Sequence, residues 1–246
     1  MRPPVPSGTV FVKDPVDVWG KEHTIGLAEH AVRVHAAAMM HDRRGDIIAW
    51  DDFESSTRKY SSTDGTVTRS TDRSKTGNFS AKCVTGATSG NRAGITYVQS
   101  DFHSDTKMGM QVSFATGDDV WGVIIGISYY DMTKLHTWSI RLKSDGTLQY
   151  GDLAGTWQDV PGASSIYKQR DYNFATIKVV GDLSTDKYVR AVLFDKEYDL
   201  SAYTCYSVAM PASMPYLYPD MAIETLENVA KTAYFDNYIL TENEPA

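Results

Sequence analysis

The stretch Ile47-Ile48-Ala49-Trp50-Asp51-Asp52-Phe53-Glu54 divides the chain. A short apolar strand runs into an acidic turn that carries an aromatic residue, and the character of the sequence changes there. Before it stand a proline-rich arm and one segment with helical periodicity. After it, short apolar runs alternate with turn residues as far as residue 241, which predicts an all-β domain.

Downstream of the divide, strands are expected over 47–50, 66–71, 79–84, 93–99, 106–115, 121–129, 135–143, 147–150, 174–181, 187–194, 215–225 and 231–241. Alternation is clearest at Met108, Met110, Val112 and Phe114, and again at Trp138, Ile140 and Leu142. Such period-two runs bury one face of a sheet and leave the other wet. Ser144-Asp145-Gly146-Thr147 reads as a hairpin turn, because Asp-Gly suits the type I′ geometry. Phe194-Asp195-Lys196-Glu197-Tyr198 reads as a second tight reversal. Many short antiparallel strands with turn signals between them predict a jelly-roll-like antiparallel β-sandwich, with a closed barrel as the other architecture of this pattern. The sequence shows no α/β alternation, no heptads and no fixed-period repeat.

Upstream, residues 1–21 place Pro3, Pro4, Pro6 and Pro15 among Val10, Phe11, Val16 and Trp19. Proline keeps this arm extended, and the apolar residues are anchors for an assembly contact, on its own domain or on a neighbouring subunit. Thr24 caps an expected helix over 24–40, in which Ile25, Ala28, Ala31 or Val32, and His35 recur at helical spacing, with Gly45 as the stop. The division is therefore an arm plus helix over 1–46, a sandwich over 47–241 and a tail over 242–246.

Composition narrows the partners. Of 246 residues, 42% are hydrophobic and 22% charged, an ordinary balance for a globular protein. A formal net charge of −7 argues against a nucleic-acid partner, which calls for a basic excess. No apolar run is long enough for membrane insertion, and the N-terminus has no signal-peptide h-region, so the expected station is a virion or other extracellular assembly reached without a recognisable signal. Cys83 and Cys205 either pair or stay as two buried thiols.

Catalytic spacing is missing. Retaining glycosidases on sandwich folds set two carboxylates on alternate residues of one strand, as E-x-D-x-x-E. Glu197-Tyr198-Asp199 is the one E-x-D, and Ala202 stands where the third acid belongs. Glu224 and Glu227 have no partner motif. His23, His30, His35 and His41 are spaced too irregularly for a compact metal motif. The expectation is a protein without catalytic residues.

Three segments together resemble jelly-roll carbohydrate-binding modules and concanavalin A-like lectin domains. Trp50-Asp51-Asp52-Phe53-Glu54 is similar to their opening "DFE" strand, Ser74 to Lys82 to their "S-x-x-G-x-x-S-L" strand, and Tyr234-Phe235-Asp236-Asn237-Tyr238-Ile239-Leu240 to their closing "yxDNvxl" strand. The resemblance spans residues 47–241. It implies a structural Ca²⁺ held by Asp52, Glu54 and Asp236, with loop carbonyls near Thr76 and Gly77, because calcium takes hard oxygen ligands. It also implies a glycan as partner, stacked on aromatic rings. Trp121 and Trp138 are expected inside, and Tyr130, Tyr150 and Trp157 on an exposed platform.

The segments Val12–Glu22 and Asp42–Asp46 resemble leaders of phage-type structural proteins, whose arms thread into neighbours. The expected function is a non-catalytic structural protein of a larger assembly, a phage capsid or tail component, joined to protein neighbours or to further copies through residues 1–46. The alternative is a carbohydrate-binding module or lectin with a structural calcium.

Overall fold

Alternating apolar and polar residues build sixteen strands in the computed structural model, which describes residues 42, 44–56, 60–100, 102, 106–117, 120–163, 172–210 and 214–246. The expected helix over 24–40, the four histidines between 23 and 41, and the anchors Val10, Phe11, Val16 and Trp19 lie outside the described residues. Contacts divide the chain after Arg43, and the unit Arg44–Ala246 carries the fold.

In chain order the strands are β1 (Asp46–Asp51), β2 (Ser61–Thr63), β3 (Thr66–Ser70), β4 (Ser80–Val84), β5 (Arg92–Thr96), β6 (Lys107–Thr116), β7 (Gly122–Tyr130) and β8 (Lys134–Lys143). There follow β9 (Leu148–Gly151), β10 (Trp157–Asp159), β11 (Ala175–Asp182), β12 (Lys187–Leu193), β13 (Lys196–Asp199), β14 (Tyr206–Ala209), β15 (Tyr216–Glu224) and β16 (Thr232–Glu242). They form two antiparallel sheets. The first runs β13-β12-β11-β6-β16-β4-β3, and β1 joins β4 along one edge of β16. The second runs β10-β9-β8-β7-β15-β5-β2, and β14 joins β9 along one edge of β8. The all-β sandwich expected from the pattern is the observed architecture.

The core fills the space between the sheets. Phe114, Phe235, Ile95, Met108, Met110, Ile125, Ile127 and Trp138 are fully buried there. Each such side chain contributes about 1.5–3 kcal/mol when taken out of water. Trp138 donates its indole N–H to the Lys187 carbonyl at 2.8 Å, and its ring occupies the space where a side chain on Gly181 would stand. Tyr188 crosses from β12 to the second sheet, where its hydroxyl accepts the Ser139 amide at 2.9 Å and lies 2.8 Å from the Gly151 carbonyl. A buried polar tip that finds partners in the opposite sheet fixes how the two layers sit.

The opening stretch behaves as a seam. β1 pairs with the closing strand β16, Trp50 opposite Ile239 and Asp51 opposite Tyr238. Asp51 is buried and accepts both the Phe53 amide (2.9 Å) and the Tyr97 hydroxyl (3.1 Å). Tyr97 stacks on Tyr238 with ring centroids 4.2 Å apart, so one acid ties both sheets together.

Four strands escape a reading by periodicity. β2, β10, β13 and β14 have three or four residues each, too short to show an alternation. The hairpin at 144–147 also differs in type. The Gly146 amide closes on the Lys143 carbonyl, and Gly146 alone of the turn has a positive φ, at 85°. This is a type I turn with a glycine bulge rather than the type I′ turn expected, and the Asp145 carboxylate stabilises it by accepting the Thr147 amide at 2.9 Å. Cys83 and Cys205 are buried and free, which decides between the two readings. Burial pushes the Cys205 thiol up to about 12, so it stays un-ionised at neutral pH.

Candidate glycan-binding face

Register places the candidate site on the outer face of the second sheet. Alternate residues Ile95, Met221, Ile125, Ile140, Leu217 and Trp138 point into the core. Their neighbours point out and form rows across the sheet. Arg92, Glu224, Gly122 and Lys143 make one row; Gly94, Ala222, Ile124, Arg141 and Gln149 the next. Thr96, Asp220, Gly126 and Ser139 make a third, Tyr218, Ser128, Thr137 and Tyr206 a fourth, and Tyr216, Tyr130, Leu135 and Val208 a fifth. The middle rows are floored by Gly94, Ala222, Gly126 and Ser139. Apart from Ile124, which stands between Ala222 and Arg141, the residues there are small, so the register sets a shallow depression between large side chains on either hand.

One wall is built on Arg141. Its guanidinium donates from Nε (3.0 Å) and Nη2 (2.6 Å) to Gln149 Oε1, and Nη1 stands 3.5 Å from Glu224. The rings of Trp121 and Trp157 lie 4.0 and 4.5 Å from its central carbon. Two cation–π contacts and a shared acceptor hold this long side chain in one place. Burial lowers its pKa, Glu224 acting in the opposite direction. Gln149 in turn donates to Asp159 at 2.7 Å.

The other wall is aromatic. Tyr130 packs 4.4 Å from Tyr216 and 5.9 Å from Tyr218, and the last two rings meet edge-on at 5.0 Å. Burial and the two neighbouring phenols raise the pKa of Tyr130, so it remains a neutral hydroxyl and a π-face at neutral pH.

Asp220 lies between the walls. Gly126 beneath it has no side chain, and a Cβ there would come within 3.2 Å of Asp220 Oδ1. Among the described residues no hydrogen-bond donor satisfies the Asp220 carboxyl. Desolvation pushes its pKa up to about 7, against a smaller opposing pull from Arg92.

The sequence-stated candidates scatter. Tyr130 and Trp157 reach this face, at opposite walls. Tyr150 does not: it is buried in the core cluster, its ring 5.7 Å from Tyr188 and 4.5 Å from Tyr203, so it offers no open platform. Trp138 is in the core as expected, whereas Trp121 stands outside, stacked on Arg141. Composition alone could not separate these two tryptophans. Asp220, Arg141, Tyr216 and Tyr218 were not singled out. Tyr216-Leu217-Tyr218-Pro219-Asp220 carries the signal, because its period-two alternation sets Tyr216, Tyr218 and Asp220 on one face.

Asp52, Glu54 and Asp236 do not fit the calcium that the resemblance implies. Glu54 Oε1 accepts the Asn78 and Phe79 amides, both at 2.8 Å, and Asp52 accepts the Glu54 amide at 3.1 Å. Asp236 accepts Lys75 (2.7 Å) and Thr76 (3.1 Å) on one oxygen and Asn237 (2.8 Å) on the other. Calcium calls for six or more converging oxygens, and among the described residues no group of three His, Cys, Asp or Glu side chains converges. The acids instead staple the loop before β4 to both ends of the domain. Gly77 in that loop has φ +63°, and Glu54 fills the space where its side chain would stand, so the motif's glycine is required twice over. Excess EGTA is expected to leave the thermal unfolding midpoint within about 1 °C, since a ligand stabilises only in proportion to its occupancy; a drop of about 4 °C or more would reinstate the ion.

A separate cavity of about 440 Å³ opens on the first sheet. Its walls include Lys107 and Asp182, 3.9 Å apart, and Arg190 and Glu197, 4.0 Å apart, so charges there already face opposite charges.

No family model and no curated protein sequence matches the chain. Solved structures do. The alginate lyase vAL-1 from Chlorella virus aligns with a TM-score of 0.52 at 12% identity, over 80% of this chain and all of that one. The cellulose induced protein Cip1 aligns at 0.49 and 14% identity, covering 78% and 96% of the two chains. The CBM2 module of the Lactobacillus casei BL23 phage J-1 evolved Dit aligns at 0.43 and 10%, covering 82% and 98%. At 12% identity the alignment with the alginate lyase carries the fold and does not carry a function. The chain from Arg44 onward has a jelly-roll-like antiparallel β-sandwich fold.

Proposed function

We propose that the domain binds a glycan along the outer face of its second sheet. The observation that carries this reading is the depression floored by Gly94, Ala222, Gly126 and Ser139, walled by three tyrosines on one side and by Arg141 between two tryptophans on the other. Pyranose rings present apolar C–H faces edged with hydroxyls. The aromatic wall matches the first, and Asp220 and Ser139 between the walls match the second. The test is calorimetric titration with a panel of plant, algal and bacterial hexasaccharides. At least one is expected to bind, and Tyr130→Ala is expected to weaken it about tenfold, the worth of one aromatic contact. Unchanged affinity in a folded Tyr130→Ala variant would refute the assignment of this face.

Membership of a larger assembly stands as a second proposal. It draws on the apolar, proline-rich composition of residues 1–21.

A further inference from the structure

We infer that Asp220 is the specificity-determining residue of this face, and that its ligand is an uncharged glycan whose adjacent hydroxyls donate to the Asp220 carboxylate. The inference rests on the reading of the face as a glycan site and goes on to name the class of sugar.

Charge pairing on the face leads to it. Each described cation there already has a counter-group. Arg141 is held by Gln149 and Glu224, Arg92 lies 3.6 Å from Glu224, and Lys143 lies 2.8 Å from Asp145. A uronate carboxylate would have to break one of these pairs, and it would enter a depression whose central group is itself an acid. Like charges at such range cost affinity and act as a selectivity filter. Asp220 is the contrary case, a carboxyl on the floor with no donor among the described residues. An ionised carboxylate is acceptor-only, with room for two donors side by side, and two adjacent sugar hydroxyls supply them. The tyrosines one and two rows away then receive the C–H face of the ring.

A pH dependence follows. The charged or titratable groups facing Asp220 are Arg92 on β5, Arg141 on β8, Tyr130 on β7, and Tyr218 and Glu224 on its own strand. Hydroxyl donors favour the ionised carboxylate, and desolvation keeps that form scarce below about pH 7. Binding therefore strengthens as pH rises. A neutral sugar has no group of its own that titrates in this range.

The experiment titrates the full chain with neutral hexaoses (cellohexaose, xylohexaose, mannohexaose), with oligomannuronate and oligoguluronate, and with hexameric glucosamine, at pH 5.5 and 8.0. A neutral hexaose is expected to bind best, about 30-fold tighter at pH 8.0, which is the change in the ionised fraction of a group titrating near 7. Asp220→Asn is expected to bind at least about tenfold more weakly at pH 8.0, with the same affinity at both pH values. Its unfolding midpoint at pH 8.0 is expected to equal or exceed that of the parent, because an unpartnered carboxylate is gone, and this separates lost binding from lost folding. The inference fails if the parent's affinity is flat with pH, if Asp220→Asn binds as the parent does, or if a uronate or glucosamine oligomer binds best. If Tyr130→Ala abolishes binding while Asp220→Asn retains it, the glycan face stands and the role of Asp220 falls. If no oligosaccharide of any class binds, both fall.

Discussion

Glu244→Ala is expected to lower the unfolding free energy by about 3–5 kcal/mol, the cost of removing one partner from a buried ionic group. The Glu244 side chain is fully buried on the first sheet. One carboxylate oxygen takes the Lys178 ammonium and the Thr241 hydroxyl, and the other takes the Arg190 guanidinium. Lys178 and Arg190 are themselves 1% and 2% exposed at the side chain. Arg190 also donates to the Pro245 carbonyl at 2.7 Å, and the Glu244 amide to the Lys107 carbonyl at 3.2 Å, so the last residues lie as a strap over β6, β11 and β12. Without the carboxylate, two buried cations lose their shared anion. Urea denaturation reads the loss directly. Glu244→Gln keeps the shape and part of the hydrogen bonding, and is expected to lose about half as much. A loss below about 1 kcal/mol in Glu244→Ala would show that the cluster contributes little to stability.

Gly181→Ala is expected to cost about 2–3 kcal/mol, although it adds a single methyl group. The new carbon would stand 2.5–2.7 Å from three ring atoms of Trp138. That ring cannot step aside, since it is fully buried and its indole N–H is fixed on the Lys187 carbonyl. Glycine is here a receptacle for the opposite sheet's tryptophan. Trp138→Leu in the parent leaves a cavity and is expected to cost about 3 kcal/mol. In the Gly181→Ala background the same change is expected to cost at least about 1 kcal/mol less, because the two changes share one space. Strict additivity in that cycle would mean that the methyl group is accommodated elsewhere.

Much of this architecture was legible in the sequence. The run from Met108 to Phe114 and the run from Trp138 to Leu142 gave β6 and β8 because apolar and polar residues alternate along each. Burial follows that alternation over most of β8, whereas β6 is buried on both faces, Gln111 and Ser113 included, so the wet face expected of it is absent. The opening and closing motifs correctly marked β1 and β16. The site was less legible, for a physical reason. Its floor consists of Gly94, Ala222, Gly126 and Ser139, drawn from four strands, and residues chosen for smallness carry no chemical signature. Asp220 is one of many aspartates until strand pairing sets it over Gly126. Tyr150 misled because aromatic rings serve equally as core and as platform, and only the sheet's curvature and neighbours decide. Glu54 and Asp236 misled because an oxygen-rich cluster that could take a cation can equally take a row of backbone amides.

The position of the final two strands has a consequence for how the domain comes into being. β15 lies between β7 and β5, and β16 between β6 and the β4–β1 edge, so each is an interior member of its sheet. A chain emerging from the ribosome has made fourteen strands before either gap can be filled. Until then β5 and β7 in one layer, and β1, β4 and β6 in the other, present unpaired edges of the kind that captures foreign strands. Neither layer can zip up progressively. Both wait for their middles, which makes folding a late, long-range and therefore slow event, and gives the nascent chain reason to be shielded until residue 242 is free.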